Sequence, residues 1–136
     1  MSKTFVLKIL TPEKTLVSED VEKVITKTPV GNIEFLYGHE PMIVSTISCI
    51  TRFVDANGEE RKLFISKGAV NIEREKVVFC VDAAEFPEDI DLERAKKAKE
   101  RAEKKLKEGT FEDKDIIKGC LERANLRIQL KDNFEK

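Results

Sequence analysis

"VVFCVDAAEFPEDIDLERAKKAKERAEKKL", Val77 to Leu106, changes grammar in its middle, and that change decides the fold. Up to about Val81 the chain reads as short strands, and at Phe86-Pro87 the pattern turns. From Pro87 onward there is no further proline, and apolar residues recur every three or four positions. Leu92, Ala95, Ala98, Ala102 and Leu106 make one stripe of a helix. Asp91 is placed to cap its start, with Ile90 ahead of it as a staple. Glu93-Lys97, Glu100-Lys104 and Glu103-Lys107 are pairs four apart in the favourable orientation, each contributing only about 0.2–0.5 kcal/mol. Lys104, Lys105 and Lys107 suit the negative end of the helix dipole, and Gly109 is the natural stop.

Downstream, a second helix fits after Asp113, with Ile117, Cys120, Leu121, Ala124 and Ile128 as its stripe. The Gly109–Asp113 connection is short enough to fold the two helices into an antiparallel hairpin. Alanine on the first stripe allows close approach but buries little area. At roughly 25 cal/mol per Å², such a seam stabilises far less than a leucine one. The expectation is a weakly held hairpin, able to change position.

Upstream, "FVLKIL" (Phe5 to Leu10) ends at Thr11-Pro12, and "VEKVITK" (Val21 to Lys27) alternates before Pro29 and Gly31. "ITRFV" and "RKLFI" flank Asn57-Gly58, the strongest short-range hairpin signal. "AVNI" and "KVVFCV" flank Glu73 to Glu75 as a second hairpin. Short strands at this spacing predict an antiparallel β-sandwich with one wet face per strand. The expected class is thus α+β: a sandwich over residues 1–86, then a two-helix hairpin over 87–136.

The chain has 136 residues, with 25 basic against 26 acidic. No global field draws it to nucleic acid or anionic lipid. The N-terminal apolar run is too short for a signal peptide, and no segment approaches the roughly 20 apolar residues needed to span a bilayer. Membrane association is expected only through a partner. Cys49, Cys80 and Cys120 are widely separated, and with the single histidine, His39, they offer no zinc spacing. They read as three buried thiols in a reducing cytoplasm.

This order of domains, with "EDIDLERAKKAKERAEKKL" opening the first helix, resembles the epsilon subunit of bacterial F-type ATP synthases. The resemblance covers essentially the whole chain. Its supports are the Thr11-Pro12 turn, the Gly38-His39-Glu40-Pro41 tetrad, the last strand hairpin and the Ile90-Asp91-x-x-Arg94-Ala95 motif. The chain departs from the family's usual writing at Gly31-Asn32-Ile33-Glu34, Tyr37-Gly38-His39 and Lys67. The resemblance implies a non-catalytic rotor subunit, peripheral on the cytoplasmic face of the plasma membrane. Its implied partners are the gamma shaft, the membrane c-ring and, transiently, the catalytic alpha/beta head. Gly31, Asn32, Gly38 and His39 are the implied partner contacts. The implied hairpin folds down or extends into the head, where it blocks ATP hydrolysis.

Asp91, Arg94, Ala98 and Arg101 share one helical face, and Arg123 and Arg127 share another. Four guanidinium groups brought together with a carboxylate would suit a nucleotide, because arginine forks grip phosphate oxygens. Some members of the resembled family bind ATP (as MgATP) through positions that match Ile90, Asp91, Arg94, Ala95, Arg101, Arg123 and Arg127, with Glu85 upstream. The plainer reading is a solvated charged face with Asp91 as a cap. The basic residues Lys96, Lys97, Lys104, Lys105 and Lys107 are interleaved with Glu93, Glu100, Glu103 and Glu108, so any pull on an acidic partner is local and easily screened. His39 reads as packing or hydrogen bonding, and no Gly-x-x-x-x-Gly-Lys phosphate loop exists. No cofactor is expected beyond that regulatory nucleotide. An alternative is a free-standing sandwich that binds peptide or sugar, with the helices as an oligomerisation arm. A small hydrolase built on His39 and a cysteine fails, because no motif ties them together.

Overall fold

The computed structural model describes residues 3–109 and 111–135. Two compact units follow one another, Met1–Glu85 and Phe86–Lys136.

Among the described residues the first unit holds nine strands: β1 (Phe5–Leu10), β2 (Thr15–Thr28), β3 (Gly31–Leu36), β4 (Met42–Thr46), β5 (Cys49–Asp55), β6 (Glu60–Ile65), β7 (Gly68–Ile72), β8 (Lys76–Val81) and β9 (Ala84–Glu85). They are hydrogen-bonded in the order β4-β7-β8-β1-β2-β5-β6-β9, with β3 added to β2. The pairs are antiparallel except β1 with β8, which run parallel, a departure from the all-antiparallel expectation. The 14-residue β2 serves both layers of the sandwich. Its first half pairs with β1 and its second half with β3 and β5, and a register shift between Val21 and Lys23 marks the change of partner.

Side-chain alternation builds the interior. Phe5, Leu7 and Ile9 of β1 and Val77, Phe79 and Val81 of β8 are buried, with their neighbours in each strand less so. Phe35, Phe53, Phe64 and Phe79 are the largest fully buried side chains. A small polar cluster lies among them: the Thr26 and Thr51 hydroxyls share a hydrogen bond of 2.9 Å, and Cys49 Sγ is 3.4 Å from Thr26 Oγ1. Each buried hydroxyl therefore has a partner, which removes most of the cost of burying it.

Turn chemistry follows the residues. The Thr11 hydroxyl closes on Lys14 at both its carbonyl and its amide, 3.1 and 3.2 Å. At Asn57-Gly58, one Asp55 carboxylate oxygen accepts the amides of Asn57 and Glu59, and Gly58 has φ +83°. That is the left-handed conformation that glycine adopts without penalty.

In the second unit a short 3-10 turn, Pro87–Asp89, precedes α1 (Leu92–Glu108) and α2 (Lys114–Glu135). Asp91 caps α1, its carboxylate accepting the Arg94 amide at 3.1 Å. Asp113 does the same for α2, accepting the Asp115 amide at 2.8 Å. Gly109 ends α1 at φ +87°. Thr110, within the predicted connection, lies outside the described residues. The predicted four-apart ion pairs are open. Lys105 instead reaches Glu112 at 2.8 Å across the hairpin turn, and both side chains are about half exposed. An ion pair that wet contributes little.

The predicted seam holds in part. Ala95 and Ala102 are buried on α1 and Ile117 and Ala124 on α2, while Leu92, Ala98, Leu106, Leu121 and Ile128 are half-buried and Leu130, outside the predicted stripe, is buried. Cys120 is a correction: it is exposed, as is Cys80, and only Cys49 is a buried thiol. Cys80 falls on the opposite parity of β8 from Val77, Phe79 and Val81, so the pleat turns it outward. Cys120 sits four residues before Ala124 and opens onto a groove beside the seam.

Candidate functional site

Three arginines share a local signature. Arg94, Arg101 and Arg123 each immediately precede a buried alanine, namely Ala95, Ala102 and Ala124. One residue back along an α-helix is a rotation of roughly 100°, so each arginine stands at the flank of the seam. In an antiparallel pair of right-handed helices, that backward rotation carries both helices' residues to the same side. Arg127, three residues after Ala124, comes round to that side too. The two helices thus present their arginines on one face, with Arg101 at about the level of Cys120.

A groove of about 210 Å³ opens beside the seam, lined by Ala98, Arg101, Ala102, Lys105, Glu112 and Cys120, with Ile116 and Ile117. Arg123 Nη2 donates to Cys120 Sγ at 3.3 Å, which lays that guanidinium back along its own helix. Arg94 and Arg101 are exposed, whereas Arg123 and Arg127 are half-buried. Among the described residues no hydrogen bond or ion pair joins Arg94, Arg101 and Arg123 to one another. Of the four arginines only Arg101 lines the groove, and Arg123 reaches it through Cys120, so they do not converge on one point.

Asp91 has one carboxylate oxygen committed to its cap. Ile90 is buried beside it, and Ala95 is part of the seam, so both position the motif. Glu85 lies in β9 and belongs to the first unit. Lys105 and Cys120 were not expected at this groove. The signal for Lys105 was present, because it lies four residues after Arg101 on the same flank.

The four predicted partner contacts divide between the two ends of β3. Gly31 sits at the β2–β3 turn with φ +130°, where the Thr28 hydroxyl donates to its carbonyl at 3.0 Å, and Asn32 beside it is exposed. Six residues of strand, about 17 Å, separate them from the other end. There Gly38 has φ +82° and donates its amide to the Arg74 carbonyl at 2.9 Å. His39 packs edge-on against Phe35, ring centroids 5.2 Å apart, with Nδ1 3.0 Å from the Glu40 carbonyl oxygen. These are packing and hydrogen bonding within the chain, whereas the sequence reading places them at a subunit contact. Val30, at the tip of the first turn, is almost wholly exposed.

Among the described residues no group of three or more metal-ligating side chains comes together, and no helix is long and apolar enough to cross a membrane.

Residues 4–87 match the family "ATP synthase, Delta/Epsilon chain, beta-sandwich domain", and residues 88–132 match "ATP synthase, Delta/Epsilon chain, long alpha-helix domain". The chain belongs to the ATP synthase delta/epsilon family. It is similar to the ATP synthase epsilon chain of Clostridium botulinum (strain Eklund 17B / Type B), 47% identical over 131 residues, covering 96% of this chain and 98% of that one. It is also similar to the epsilon chain of Caldanaerobacter subterraneus subsp. tengcongensis, 35% identical over 137 residues, covering 100% and 99%. Within the family it is of the bacterial epsilon kind. Among solved structures, a chain of the Euglena gracilis mitochondrial ATP synthase (OSCP/F1/c-ring) shares the fold at TM-score 0.68 and 20% identity, covering 97% of this chain and 79% of that one. A chain of the Tetrahymena thermophila mitochondrial ATP synthase central stalk/c-ring does so at TM-score 0.60 and 9% identity, covering 99% and 98%.

Proposed function

We propose that this chain couples the catalytic head of a bacterial F-type ATP synthase to its membrane ring as part of the central stalk, and that its helical hairpin restrains ATP hydrolysis. The sandwich docks on the gamma subunit and the c-ring, and the hairpin alternates between a folded form and one extended toward the alpha/beta head. The subunit is peripheral, held at the cytoplasmic face of the membrane by its partners. Gly31-Asn32 and Gly38-His39 are two separate contact points, since β3 holds them apart.

The observation that carries the moving hairpin is its seam. Three of its five buried side chains are alanines, while the sandwich interior is filled by four fully buried phenylalanines. Fully burying a large apolar side chain stabilises by about 1.5–3 kcal/mol, and an alanine buries a fraction of that area. A contact this lean is open to displacement by a ligand or a neighbouring subunit. Removing everything after Glu88 and measuring ATP hydrolysis by the reconstituted complex tests the brake. Hydrolysis should rise; an unchanged rate removes the brake and leaves docking intact.

The regulatory ligand we propose is MgATP, gripped by Arg94, Arg101, Arg123 and Arg127 around the Ile90-Asp91 start of α1, which clamps the hairpin folded. Size limits the arrangement. The groove of about 210 Å³ is smaller than the roughly 300 Å³ at the low end of ligand pockets. It takes part of a nucleotide, with the rest lying along the arginine rows. Calorimetric titration of the full chain with MgATP tests this. Heat that is reduced in Arg101→Ala and in Asp91→Asn, which retains a capping side chain, supports it. No heat at millimolar nucleotide ends it.

A further inference from the structure

The two helices are unequal. α1 has 17 residues, about 26 Å, and α2 has 22, about 33 Å. Running back from the turn at Gly109, α2 passes the first residue of α1 by more than a turn, so its last turns lie beside the segment that precedes α1. That segment is the Pro87–Asp89 turn, and α2 packs against it. Lys131 Nζ donates to the Pro87 carbonyl oxygen at 3.0 Å. The same oxygen accepts the Ile90 amide at 3.2 Å, the bond that closes the turn. Pro87 and Ile90 are buried, as is Leu130 next to Lys131. The Lys131 side chain is half-buried, and its ammonium lies 5.9 Å from the centre of the Phe134 ring. A charged donor on a shielded carbonyl makes the stronger kind of hydrogen bond.

We propose that Lys131 and the Pro87–Asp89 turn form a latch, which ties the returning end of α2 to the joint where the chain passes from strands to helices. The position in the chain gives the latch its leverage. Only two residues, Ile90 and Asp91, separate the turn from α1, so the helices cannot part while α2 stays bonded there. The latch itself rests on the contacts above; its regulatory use rests on the proposed movement of the hairpin, in which it must break before α2 extends.

Amide exchange in the full-length chain tests it, with Lys131→Met, which keeps the aliphatic stem, and Lys131→Arg, which keeps a donor. The expected result is exchange about five- to tenfold faster in both helices of K131M, with sandwich amides unchanged and most protection regained in K131R. Exchange in K131M equal to that of the unaltered chain, or a rise confined to the last turn of α2, would overturn the latch. Hydrolysis by the reconstituted ATP synthase separates the two ideas. Stronger inhibition with K131M supports both. Faster helix exchange with unaltered hydrolysis retains the latch and removes the brake.

Discussion

Replacing Gly119 by alanine should tighten the hairpin. Gly119 lies inside α2, where glycine costs about 0.8–1.0 kcal/mol relative to alanine through the extra freedom it gives the unfolded chain. Space is available: a Cβ built there meets Arg123 Nη1 at 3.5 Å, ordinary contact with the far end of a flexible side chain. The gain is therefore the full propensity difference, about 1 kcal/mol, or roughly fivefold in the coil-to-helix ratio of α2. Amide exchange across Ile117 to Leu126 reads this directly and should slow about fivefold, with sandwich amides unaltered. Unchanged or faster exchange would refute the reasoning, since it would mean that α2 is not continuous through Gly119 in solution. Under the proposed movement of the hairpin, the same variant in the assembled ATP synthase would report on the extended form. If α2 stays helical when extended, both forms gain equally and inhibition is unaltered; if extension melts this stretch, inhibition weakens.

Three other substitutions probe different parts of the chain. Gly68→Ala should destabilise the sandwich by about 1–3 kcal/mol in denaturant titration, because the added Cβ would collide with the Cys80 carbonyl and sit 2.7 Å from Val81 Cγ1. Asp91→Ala removes the cap on the Arg94 amide and should lower hairpin stability by about 1 kcal/mol, seen as faster exchange in the first turns of α1. Thr26→Val leaves the buried Thr51 hydroxyl with only Cys49 Sγ, at 3.5 Å, as a partner and should cost about 1–3 kcal/mol, while the Thr26→Val/Thr51→Val pair should cost less than the two single changes added together. Strict additivity in that cycle would mean the two hydroxyls do not interact.

The parts of the fold that the sequence made legible are those with several buried side chains in step. β1, β5 and β8 repeat their inward residues often enough to show a period, and Asn57-Gly58 marks the turn after β5. β3 and β4 stayed invisible because each buries a single side chain, Phe35 and Thr46 respectively. Such strands are held by their ladders to β2 and β7, which leave no hydrophobic rhythm to read. In the hairpin, the alanine stripe was readable, but the stripe assigned to Cys120 was too wide, because periodicity alone does not separate a seam from its flank. The arginines were found as a set. Their two-row arrangement was not, because it depends on the antiparallel geometry that turns both arginine–alanine steps to one side.

The change of partner along β2 has a mechanical meaning. One covalent backbone threads both layers, so neither can peel away while the other keeps its ladder, and strain entering at one end is carried through peptide bonds to the other. A body built this way should melt in a single step, seen as coincident transitions by two probes. Under the proposed function, the yielding would fall to the alanine-lined helices that follow.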